Sequence, residues 1–182
     1  MKRLSITALA VAVSLALCAS AQAKNSLLVQ FFGPSELVND EFLDKLEDMG
    51  INPTYFTCFE TTMVDAKTKL ELGTGVDCLK DVSTLPAPTG VDAVSFFNFP
   101  GGTLVSQGKT SIVPFIPGYG NGGTPKRTHV TGSIPTGGDS IINGTKGFKN
   151  ATGTVRVSGA VALADTKNGL PFFDCLWEIN LD

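Results

Sequence analysis

The residues of this sequence whose chemistry stands out are one histidine, a glutamate inside an apolar run, and the cysteines. His129, in Arg127-Thr128-His129-Val130, shares strand parity with Thr131 and Ser133. That placement suits either an acid–base group at a pocket mouth or a hydrogen-bonded residue on an outer face. Glu60 lies within YFTCFETTMV, on the parity of Phe56, Cys58 and Val64. Turned inward, it would be desolvated, its pKa would rise, and it would serve as an acid or polar anchor. Turned outward, it is a solvated carboxylate. Phe56, Glu60, Phe97 and Trp177 are the candidate ligand-binding residues. No serine stands in a Gly-x-Ser-x-Gly elbow, so the usual hydrolase nucleophile lacks support and no catalytic residue is assigned.

Cys18 falls in the N-terminal leader, which leaves Cys58, Cys78 and Cys175. With no CxxC pair and a single histidine, a zinc site is not expected, and no metal or cofactor is assigned. In an exported chain, three cysteines imply one disulfide and one free thiol. Cys58 and Cys78 flank a turn candidate at 65–68, so a hairpin there would set them opposite each other. The expected Cys58–Cys78 bridge closes a loop of about 20 residues and contributes about 3 kcal/mol. Cys175 shares an apolar face with Trp177, where a buried thiol behaves as a small hydrophobe. In a closed barrel the last strand meets the first, so Cys58–Cys175 is the competing pairing.

The elements that must position these residues are mostly strands. Residues 35–49, SELVNDEFLDKLEDM, form the one helical pattern. Phe42, Leu46 and Met49 recur at helical spacing, Gly50 caps the end and Pro53 stops any continuation. Strands are expected at 55–64, 69–79, 91–99, 103–107, 110–115, 128–134, 154–163 and 172–181, separated by Gly-, Pro- and Asp-rich breaks. Two show their faces plainly. Val155, Val157, Val161 and Leu163 alternate with Thr154, Arg156 and Ser158, and Phe173, Cys175, Trp177 and Ile179 alternate with Asp174 and Glu178. Such period-two patterns mean one buried and one wetted face. About eight short strands with short turns read as a sandwich or an antiparallel barrel.

The N-terminus has the form of an export signal. Lys2 and Arg3 precede an apolar run too short to span a bilayer, and Ala21-Gln22-Ala23 fits the cleavage rule. The expected organisation is a signal peptide at 1–23, an N-terminal helical segment at 24–53 and a barrel domain at 54–182. The product would be secreted or periplasmic, without a membrane anchor. The leader holds two of the 14 basic residues and none of the 17 acidic ones, so residues 24–182 carry 12 against 17, a net charge of −5. An acidic chain without a basic cluster argues against nucleic acid as a partner.

The stretch GTKGFKNATGTVRVSG, residues 144–159, reads as a turn feeding a curved strand: Gly144 and Gly147 take positive φ, and Phe148 plugs apolar space. It resembles the Gly-Thr-Gly-x-Phe-x-x-Ala-x-Gly signature of the allene oxide cyclase and dirigent-like barrels, departing at Lys146, where that pattern prefers glycine. FPGGTLVSQGKTSIVPF, THVTGSIP and FFDCLWEINL are similar to segments of exported bacterial relatives, so the resemblance covers roughly residues 54–182. It implies an all-β fold, an eight-stranded antiparallel barrel with a short N-terminal helix outside it, often homo-oligomeric and enclosing an apolar pocket. The leading expectation is an exported barrel that holds a small hydrophobic ligand or acts in envelope interactions, without catalysis. The alternative is an isomerase or cyclase acting on an oxylipin-like substrate. A purely structural module with a plugged lumen is the third.

Overall fold

A computed structural model describes residues 25–82, 87–114, 127–133, 140–162 and 170–182. The expected signal peptide and its cleavage site lie outside them. The strands run β1 Asn25–Pro34, β2 Glu36–Leu37, β3 Phe56–Asp65, β4 Glu71–Lys80, β5 Ala87–Phe99, β6 Gly102–Pro114, β7 Arg127–Ser133, β8 Ile141–Gly144, β9 Gly153–Ala162 and β10 Phe172–Leu181. The helix α1, Asn39–Asp48, lies between β2 and β3. No helix among the described residues is long and apolar enough to cross a membrane.

The sheet is antiparallel and curls through the order β1-β10-β9-β7-β6-β5-β4-β3. Its two ends meet where β1 pairs with β3 at Val29↔Asp65, Gln30↔Val64 and Phe31↔Met63. Eight strands thus form one circuit, the expected all-β barrel with a short helix. Past Gly33 and Pro34 the chain bends, and β2 continues along the same edge of β3, with Glu36 opposite Glu60 and Leu37 opposite Phe59. At the bend, Thr61 Oγ1 donates to Pro34 O at 3.2 Å, so the seam stays hydrogen-bonded.

Three local expectations are corrected. The segment 24–53 contains β1 as well as the helix, and β1 pairs with β10 along its full length, so the barrel begins before residue 54. Apolar residues on both faces of NSLLVQFFGP hide its alternation: Leu27, Val29 and Phe31 face the interior cluster, while Leu28 and Phe32 lie on the other parity. The helix starts at Asn39 rather than at 35, because β2 and the Val38 N–H are bonded to β3, the latter to Cys58 O at 3.1 Å. The strands expected at 103–107 and 110–115 are one strand, β6. Gly108 is no turn there; it pairs with Ala93, and Lys109 pairs with Asp92 and Ser133.

Two apolar layers hold the fold. The barrel interior is filled by side chains including Val29, Phe31, Met63, Phe97, Leu104, Trp177 and Ile179. The outer layer lies under α1, where Phe42 and Leu46 pack on Phe56, Val76, Val94 and Phe96, and the Phe42 and Phe96 rings meet edge to face at 4.9 Å. Each such large side chain contributes about 1.5–3 kcal/mol by leaving water. The Cys58–Cys78 disulfide belongs to this outer layer, joining directly opposed residues of β3 and β4. Cys175 is free and buried in the interior cluster, which rejects the Cys58–Cys175 pairing.

The stretch 144–159 does turn into a curved strand, but not through the expected glycines. Positive φ falls on Lys146 (49°), Asn150 (64°) and Gly153 (142°), around a 3-10 turn at Lys146–Phe148. Gly144 serves close approach instead, since a Cβ there would lie 2.0 Å from Phe148 O. Phe148 packs against Phe99 at 5.2 Å and joins the rim of the interior cluster.

Candidate functional site

The described interior contains one buried carboxylate. The register sets Asp77 of β4 directly opposite Ser95 of β5 and Phe59 of β3, and Ser95 in turn opposite Ser106 of β6. Strand alternation therefore carries Asp77, Ser95 and Ser106 to the same face as Phe59 and Phe97, which is the barrel interior. Asp77 and Ser95 are 4% and 3% exposed, and Ser95 Oγ donates to Asp77 Oδ1 at 2.7 Å. Burial raises the Asp77 pKa to about 6, against the opposing effect of the Ser95 hydrogen bond. The carboxyl thus changes charge near neutrality, in an environment where a charge is costly.

Two further polar groups share this interior. The Cys175 thiol is held well above its ordinary pKa, first by burial and then by the negative charge of Asp77, so it stays protonated and inert. Its Sγ lies 3.9 Å from Ala160 O. The Trp177 ring meets Phe97 edge to face at 5.3 Å and lies tilted against Phe31 at 5.0 Å, and its Nε1 is buried with no hydrogen-bond partner among the described residues. Beside it lies a niche of about 20 Å³ lined by Ser95, Ser106, Thr110, Ser140, Trp177 and Val157, among others. A niche of that size holds about one water molecule.

The four expected ligand-binding residues divide. Phe97 and Trp177 come together in the interior. Phe56 is buried in the outer layer beneath α1, and Glu60, on the same parity, is half-buried opposite Glu36 and Val76. Neither faces the lumen. The reason is α1: it makes the outer side of β3 apolar too, so Phe56 and Cys58 do not mark the interior face. His129 sits in β7 opposite Val113 and Ala160; its side chain lies outside the described residues. Among the described residues no group of three His, Cys, Asp or Glu side chains could hold a metal ion.

Chemically, the arrangement offers a carboxyl that can hold or release one proton near neutrality, a hydroxyl committed to it, and an indole N–H. The Ser95 hydroxyl proton points at the Asp77 carboxylate, the orientation of a hydroxyl nucleophile toward a base, while the sequence's single histidine lies in another strand, β7. Comparison with protein-family models gives no match, and comparisons with curated proteins and with solved structures give no significant similarity.

Proposed function

We propose that this chain is an exported β-barrel that works without catalysis, through contacts of its outer surface in the cell envelope. The observation that carries this reading is the filling of the described part of the lumen. Phe31, Met63, Phe97 and Leu104 are all 0–1% exposed inside the barrel. The described niche beside Trp177 has room for about one water and none for a small hydrophobic ligand. Export is supported by the leader at 1–23 and fits the Cys58–Cys78 disulfide, which suits an oxidising compartment. The antiparallel eight-strand circuit is the architecture that the resemblance to the allene oxide cyclase and dirigent-like barrels implies. Lys146, where their signature prefers glycine, has a left-handed backbone.

A second reading, an isomerase or cyclase of that family's type, is favoured by one specific observation. Asp77 is a buried carboxyl with a pKa near 6, suited to move a proton inside an apolar barrel. Native mass spectrometry of protein purified from its own host, combined with an assay on an added fatty-acid epoxide, separates the readings. A clean polypeptide mass with no turnover supports the surface role, and the same spectrum gives the oligomeric state. A stoichiometric lipid-like adduct would overturn the filled-lumen reading. Turnover abolished by Asp77→Asn would establish the enzyme.

A further inference from the structure

We propose that Asn143-Gly144, at the end of β8, is a site of self-modification in the folded protein, where Asn143 is converted to aspartate and isoaspartate. The Gly144 N–H donates to Asn143 Oδ1 at 2.8 Å, so the main-chain nitrogen is held at the side-chain amide that it would attack. Asn143 is exposed, so water and hydroxide reach that amide. Glycine follows it, and with no Cβ on that residue nothing shields the nitrogen. Among the described residues no other asparagine is followed by glycine.

The fold itself keeps the pair. Thr145 N donates to Thr103 O at 2.9 Å, so by alternation the Gly144 N–H points away from β6 and is not spent on the ladder. A larger residue cannot replace Gly144, since a Cβ there would lie 2.0 Å from Phe148 O. The reaction needs only hydroxide and water. Hydroxide takes the Gly144 N–H proton, and the nitrogen forms a bond to Asn143 Cγ. The Cγ–Nδ2 bond breaks, and the side-chain nitrogen takes a proton from water and leaves as ammonia. Water then opens the resulting succinimide. Cleavage between the nitrogen and Cγ gives aspartate, and cleavage between the nitrogen and the main-chain carbonyl carbon gives isoaspartate. Asn98 and Asn180 lack this arrangement: Phe99 and Leu181 follow them, and their amides are bonded to Thr74, Thr103 and Glu178.

Incubation of the folded protein at mildly alkaline pH, followed by peptide mapping with mass spectrometry, tests this. The peptide containing Asn143 should gain the mass that separates a carboxylate from a carboxamide, in two chromatographically distinct forms, while Asn98 and Asn180 stay unchanged. Fragmentation assigns each conversion to its residue. It also scores Asn121 and Asn168 separately; both precede glycine but lie outside the described residues. The folded chain should convert Asn143 no more than about tenfold slower than the same chain in denaturant, whereas a site reached only through unfolding is slowed about 10³-fold or more. Slower conversion than that, or conversion no faster than at Asn98, overturns the proposal.

Discussion

Replacing Asp77 by Asn should stabilise the protein above neutrality and leave it nearly unchanged in acid. Asn keeps the shape and the carbonyl oxygen that accepts from Ser95, but it cannot ionise. In the folded state the Asp77 pKa is raised from 3.8 to about 6, chiefly by burial. A raised carboxyl pKa means that the native state binds its proton more tightly than the unfolded state does. The wild type is therefore favoured below pH 4 and loses that advantage progressively as pH rises to about 6. At about 1.4 kcal/mol per pH unit, a shift of about two units amounts to about 3 kcal/mol of destabilisation above pH 7. Asp77→Asn should escape it. Urea unfolding of both proteins at intervals from pH 4 to 8 checks this, with the m-value confirming that the exposed surface is unchanged. Subtracting the two curves cancels every other titrating group. The difference should be near zero at pH 4 and grow to about 3 kcal/mol by pH 7.5, with its midpoint near pH 5. A difference that does not vary with pH, or an Asn variant weaker at pH 8, would refute the assignment of Asp77 as a carboxylate whose charge is penalised by burial.

Other perturbations test the remaining parts of the frame. Cys58→Ser/Cys78→Ser should lose about 3 kcal/mol in denaturant unfolding, the value for a closed loop of about 20 residues, and Cys175 should react with iodoacetamide only after unfolding. Gly75→Ala should lower stability by about 1–3 kcal/mol, since its Cβ would fall 2.1 Å from Phe31 Cε1 and displace a fully buried ring; an unchanged melting temperature would contradict that packing. Asp65 acts in the opposite sense to Asp77. Hydrogen bonds from the Thr68 N–H and hydroxyl hold its pKa down, so Asp65→Asn should lower the melting temperature at pH 7, and that difference should shrink as pH falls below 4.

The strands that the sequence shows most clearly are those covered on one side only. In β9 and β10 the apolar parity, Val155 to Val161 and Phe173 to Ile179, is buried, while Arg156, Ser158, Asp174 and Glu178 lie in water, as the alternation states. β3 and β4 are different because α1 lies across their outer side. Residues 75–79 of β4 are buried without interruption, so period two carries no information about which side is the lumen. Nothing in the sequence around Asp77, flanked by Val76 and Cys78, marks it as an interior residue, and the pattern around Glu60 leaves both of its orientations open. Of the two orientations open for Glu60 the fold takes the one away from the lumen, and it carries Asp77 inside.

The cysteines tie part of this parity together. A bridge between directly opposed residues of a hairpin puts both sulfurs on one face, so Cys58–Cys78 places Phe59 and Asp77 together on the other. Cys175 belongs to the face of Trp177, the buried apolar parity of a strand whose residues Asp174, Leu176 and Glu178 are exposed, and so to the interior. Register keeps Cys58 from Cys175 whichever way it points: Cys175 lies opposite Phe31 and Phe31 opposite Met63, five residues along β3 from Cys58 and beyond disulfide reach. Cys58 packs in the layer under α1, away from the lumen. Asp77, one residue from Cys78, is thereby carried inside, where register then supplies Ser95 as its partner.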